Sequence, residues 1–246
     1  MAVRSPAGVI EIVGPPGAGK STLARALVQE LGARGTSAHW SWAYRQAITQ
    51  AGAAPAFRAH WLALARARLR ALRDAAGFFP HLRRACRGAI APADSGVAGW
   101  LRLLRLAGRD GLPLHLFARH GAADECLVLE PGWKMNFIGG YFYAHQAPRR
   151  VDLDRFLDWA PPVRLTVGLT VTPATALDRL HGRERGLPRR MRALPEAAWP
   201  EVIERGNRAT RMLCERIVHR GEPVTVLDAS TAGPDDLART LADGVR

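Results

Sequence analysis

The feature that most constrains this 246-residue chain lies near its start. Val9-Ile10-Glu11-Ile12-Val13 is a short apolar run, cut off at once by Gly14-Pro15-Pro16-Gly17-Ala18-Gly19-Lys20-Ser21-Thr22. Residues 21–32 then carry Leu23, Ala24, Leu27, Val28 and Leu31 at helical spacing, with Gly32 as the stop. A buried strand, a glycine loop and a helix, in that order, open an α/β unit. The loop satisfies the full phosphate-loop pattern of two glycines with four residues between them, followed by Lys and Ser or Thr. Backbone N–H groups at Gly14, Gly17, Ala18 and Gly19 can wrap a phosphate closely, and the helix start adds its positive end. Lys20 is expected to span the β- and γ-phosphates, Ser21 to ligate Mg²⁺ and Thr22 to bond on the α-phosphate side. The motif calls for a nucleoside triphosphate, ATP or GTP. It does not choose between transfer to a small molecule and hydrolysis coupled to motion.

Strand-like and helical stretches alternate through the rest of the chain. Residues 36–42 read as a second strand, 124–132 as a strand running into a loop, 163–171 as a further strand and 223–227 as the last. Residues 43–120 are helical in pattern and rich in arginine, and read as helices packed over the sheet and covering a cleft. A short helix follows Pro173, and a long one spans 196–219 with Val202, Ala209, Leu213 and Ile217 inward; residues 231–236 read as a loop and helix start, and 237–245 as a closing helix. This order predicts one domain over 1–246, a mostly parallel sheet with helices on both faces. Such sheets bind ligands at the carboxyl ends of their strands, where Gly14, Glu130, the 183–190 loop and Asp228 should gather.

Glu130 ends the apolar run Leu127-Val128-Leu129 and precedes Pro131-Gly132. A carboxylate at that edge can hold magnesium, directly or through water, or accept the proton of an attacking hydroxyl. His39 is the alternative proton acceptor. Lys134 follows closely, and could contact a phosphate or the acceptor, or lie along Trp133. Tyr141, Phe142 and Tyr143, with Trp40 and Trp42, offer aromatic surface for a planar or ring-shaped acceptor, and Trp133 is a further acceptor-side candidate.

Arg179, Arg183, Arg185, Arg189 and Arg190 cluster about a segment too broken by glycine and proline to be a helix. Guanidinium groups so close repel one another unless they are solvated or face an anion. Over a triphosphate they would neutralise charge developing on the transferring group and exclude water, making 178–195 a lid. Lys20, Glu130, Arg183 and Arg185 are therefore the candidates for the chemistry, with Arg179 and Arg189 beside the nucleotide. Ser230, in the loop after the last strand, could lie against the base.

Composition bounds the partners. The formal charge is +13, from 35 basic and 22 acidic residues. Only Lys20 and Lys134 are lysines, the other 33 basic residues are arginine, and alanine occurs 42 times. That joint bias is what a GC-rich genome imposes, so the charge by itself does not argue for specific nucleic-acid binding. Cys86, Cys126 and Cys214 are odd in number and widely spaced, forming neither a disulfide framework nor a metal cluster. No apolar stretch approaches a membrane span and no secretory core precedes the first strand, so a cytoplasmic protein with no membrane partner is expected.

With these residues in view, the chain resembles P-loop kinases of the thymidylate kinase and deoxynucleoside kinase group. The resemblance is strongest at 9–31 and extends to 124–132, 163–191 and 223–233. It implies a three-layer α/β/α P-loop NTPase fold with a five-stranded parallel sheet and ATP–Mg²⁺ as donor. It also implies an acceptor bound beneath the 43–120 helices. The family's acceptor is a nucleoside or nucleoside monophosphate. Its thymidylate members carry an Asp-Arg pair after the third strand and its deoxynucleoside members Glu-Arg-Ser, where this chain has Glu130-Pro131-Gly132-Trp133. A sugar, an antibiotic or another hydroxyl compound is equally compatible with that departure. A small-molecule kinase is the favoured reading, a hydrolytic NTPase of regulatory or assembly type the alternative. A homodimer is left open.

Overall fold

The computed structural model describes residues 8–41, 117, 125–143, 147–158, 160, 163–183 and 186–244. Five strands form one sheet: β1 (Val9–Val13), β2 (Ala38–Trp40), β3 (Cys126–Leu129), β4 (Leu165–Thr170) and β5 (Val224–Asp228). Their order across the sheet is β2-β3-β1-β4-β5, and every pairing is parallel. The helices are α1 (Lys20–Ala33), α2 (Trp133–Ile138), α3 (Arg150–Leu157), α4 (Pro173–His181), α5 (Arg189–Arg192), α6 (Trp199–His219) and α7 (Pro234–Gly244). This is the α/β architecture expected from the alternation of elements.

Burial explains the layers. All five residues of β1 are buried, as a central parallel strand covered on both faces requires. Ile10 and Ile12 join Val128, Val167 and Leu169 beneath α1 and α7. Val13 faces the other way, into a cluster of Ile138, Leu153, Val202 and Leu213 from α2, α3 and α6, with Phe142 from the turn after α2. Phe117, the one described residue of the 43–120 region, is buried against Val9, Leu127 and Leu129. The expected acceptor-side helices otherwise lie outside the described residues.

Several boundaries differ from the sequence reading. Residues 189–192 are helical: Pro188 has the extended backbone of an N-cap, Met191 is fully buried, and the Trp199 indole N–H donates to the carbonyls of Met191 (3.0 Å) and Leu194 (3.3 Å). The glycine and proline that break residues 181–190 thus end before a short, well-anchored helix. Helices α2 and α3 carry no periodic signal long enough to announce them. The stretch at 196–198 is a 3₁₀ turn leading into α6, whereas α7 begins at Pro234, within the loop and helix start expected over 231–236. Proline in the first turn and Asp235 and Asp236 beside it favour that start.

Candidate active site

The glycine loop leaves β1 at the carboxyl edge of the sheet, and neighbouring elements hold its shape. Gly17 takes a left-handed backbone (φ 79°), and a side chain there would also run into the Ala176 backbone of α4. Pro15 packs against Gly206 of α6 so closely that a Cβ on Gly206 would overlap it. The adjacent Asn207 is buried, donates Nδ2 to Val171 O (2.8 Å) and accepts from Val171 N (3.1 Å). A single amide thus satisfies both backbone groups just past the end of β4. No side chain caps α1, and its first turn holds no acidic residue. Its leading N–H groups stay available to an anion.

Within the loop, Lys20 Nζ donates to Gly14 O (2.9 Å) and Pro15 O (2.7 Å). Burial lowers its pKa from the ordinary lysine value to about 8; Glu130 pulls it back up and Arg183 pushes it further down. Ser21 Oγ donates to Glu130 Oε2 at 2.9 Å. Glu130 is itself 8% exposed. Its backbone N–H donates to Ser41 Oγ (3.1 Å), and the same hydroxyl donates to Glu130 O at 3.4 Å. The hydroxyl just past β2 therefore fixes the backbone from which the Glu130 carboxylate projects.

Ser21 and Glu130 set two hard oxygens side by side where α1 begins. They fit a magnesium ion that takes its remaining ligands from phosphate and water. Among the described residues no group of three or more His, Cys, Asp or Glu could hold a metal. A dedicated protein cage is thus not what these residues build.

The arginines divide. Arg179, on α4, donates Nη2 to Ala229 O (2.7 Å) and lies beside Gly19 of the loop. Arg183 is exposed and close enough to Lys20 to act on its charge. Arg189 is exposed at the start of α5, and Arg190 lies over the Tyr143 ring at 5.4 Å. Arg185 falls outside the described residues. Ser230 works for the scaffold: its hydroxyl accepts from Thr172 N (2.7 Å), and its own N–H donates to Asp228 Oδ1 (2.8 Å).

No protein-family model matches this sequence, and a comparison with curated proteins finds no match. Among solved structures, deoxyadenosine kinase from M. mycoides with bound dCTP aligns over 96% of this chain and 99% of its own. Identity is 14% and the TM-score 0.43.

The geometry of the site corrects three expectations about the acceptor. His39 is turned from the site: its Nε2 lies 3.4 Å from Ser37 Oγ and 3.7 Å from Glu125 Oε1, toward the amino end of β3. In a parallel sheet that is the edge opposite Glu130. Lys134 is 1% exposed, with its ammonium 3.5 Å from Glu11 Oε2, and so is spent inside the fold. The aromatic residues do not form one platform. Trp40 packs with the α1 layer, Arg25 lying 6.0 Å from its ring, whereas Tyr141 and Trp133 pack on the other face.

Sequence reasoning missed Glu11, Ser41 and Asn207. A glutamate in the middle of an otherwise apolar strand, and an asparagine on the apolar stripe of α6, were the signals that could have found two of them. The two described cysteines are buried, with thiols pushed up to about 11 at Cys126 and about 12 at Cys214. Neither is suited to nucleophilic chemistry.

Proposed function

We propose that this chain is a nucleoside-triphosphate- and magnesium-dependent phosphotransferase that moves the γ-phosphoryl group to a hydroxyl or phosphate of a small molecule. The observation that carries the reading is the 2.9 Å hydrogen bond between Ser21 and Glu130, made where a complete phosphate loop enters α1. Loop amides and the α1 amino end would hold the β- and γ-phosphates, with Lys20 turning from its two carbonyl partners to meet them. Ser21 and Glu130 would hold Mg²⁺, which when bound neutralises charge on the phosphate oxygens. Arg179 and Arg183 would supply positive charge over the transferring group, Arg183 acting mainly as that charge develops. Glu130 is also the carboxylate best placed to accept the acceptor's proton, since His39 faces the opposite edge.

The test is ATP and GTP consumption against nucleosides, nucleotides, aminoglycosides and other hydroxyl metabolites, with mass detection of the product. Acceptor-dependent consumption yielding a product heavier by one phosphoryl group, and lost in Lys20→Ala, is the expected result. Turnover that needs no acceptor would instead favour a hydrolytic NTPase.

A further inference from the structure

Just after Trp133 opens α2, a carboxylate of β1 grips the chain. Glu11 Oε1 accepts from Lys134 N (2.5 Å) and Met135 N (3.3 Å), two of the amides that the start of α2 leaves without helical partners. Glu11 and Lys134 are each 1% exposed and pair through Oε2 and Nζ at 3.5 Å. Gly132 lies against the same carboxylate, and any Cβ there would collide with it. In the sheet, Glu11 stands opposite Leu129, the residue before Glu130.

We propose that Glu11 is a positioning residue for the metal-site carboxylate. It pins the Pro131-Gly132 turn and the first turn of α2 to β1, while Ser41 holds the backbone of Glu130 from beyond β2. Glu130 is thereby bracketed on both sides of its own strand and kept against Ser21. Burial raises the Glu11 pKa above the usual carboxylate range, and Lys134 offsets part of that cost. The strand that feeds the phosphate loop thus also fixes the acid that loop must work with. This inference rests on the phosphotransferase reading.

A buried ion pair replaced as a unit by neutral side chains of similar size commonly leaves stability little changed. Two double variants therefore separate position from charge. Glu11→Leu/Lys134→Met removes the pair and the acceptor of the α2 amides. Glu11→Gln/Lys134→Met removes the pair but keeps an amide oxygen to accept them. Binding of a fluorescent ATP analogue is measured across a Mg²⁺ titration and in EDTA, beside thermal melting. The Leu/Met variant should need about tenfold more Mg²⁺ for half-maximal enhancement of binding, with metal-free affinity unchanged. The Gln/Met variant should lie within about threefold of the parent, as retention of the positioning contact requires. An unchanged Mg²⁺ midpoint in a folded Leu/Met variant would overturn the positioning role. So would equal losses in both variants, or a parallel loss of metal-free affinity. A parent protein with no Mg²⁺-dependent nucleotide binding would overturn the functional reading itself, and the positioning role with it.

Discussion

Ser21 and Glu130 stand 109 positions apart in sequence, yet the Ser21 hydroxyl donates directly to the Glu130 carboxylate at 2.9 Å. One residue stands in the first turn of α1 and the other follows β3, so the contact ties the end of the phosphate loop to the neighbouring strand. It also lies beside Lys20, whose charge Glu130 supports.

Ser21→Ala and Glu130→Gln should both raise the Mg²⁺ concentration needed for transfer, by about 10- to 100-fold. Glu130→Gln should also lower kcat at saturating Mg²⁺, because an amide can neither balance the metal's charge nor take a proton. Initial rates across a Mg²⁺ series check this. Equal kcat for Glu130→Gln and the parent would rule out a part for Glu130 in the chemistry.

Lys20 should make nucleotide affinity depend on pH. Its pKa in the protein without nucleotide is about 8, below the ordinary lysine value of 10.5. The ammonium is therefore lost as pH rises through about 8, and ATP affinity should fall between pH 7 and pH 9. Stability runs the other way: between about 8 and 10.5 the unfolded chain holds more protons at this site, so its contribution to stability rises with pH. Lys20→Met should remove both dependences, as binding titrations and melting curves across that range would reveal.

Asn207→Leu should destabilise the protein by about 1–3 kcal/mol, since it strips partners from the buried N–H and C=O of Val171. Denaturant unfolding measures the loss. Gly206→Ala should act locally, driving a methyl into Pro15 and weakening nucleotide binding more than its effect on stability accounts for.

Arg183→Ala should lower kcat more than donor affinity, because its guanidinium is exposed and is not engaged by the scaffold in the way Arg179 is. Arg179→Ala should reduce both stability and ATP affinity, since Arg179 joins Ala229 to the edge of the loop. Steady-state kinetics with both substrates varied separates the two. His39→Ala should leave transfer unchanged.

The strand, loop and helix at the start were legible because local chemistry dictates them: an apolar run, glycines that admit positive φ, and a regular apolar stripe. Glu130 was legible for a similar reason, as an acid at the end of an apolar strand. What sequence alone obscured was direction and burial. His39 and Trp40 are neighbours on a strand and therefore point to opposite faces, so they could not share one acceptor surface. Lys134 looked available because lysine is rare in this chain, and only the fold shows that Glu11 claims it. Helix α2 was illegible because its cap comes from a residue 123 positions away.

The most direct test of the account is a calorimetric titration of ATP into the protein with and without Mg²⁺, repeated with Lys20→Ala. The account requires saturable binding that Mg²⁺ tightens and that disappears in a folded Lys20→Ala protein. No measurable affinity under either condition, or affinity that Lys20→Ala leaves intact, would contradict it.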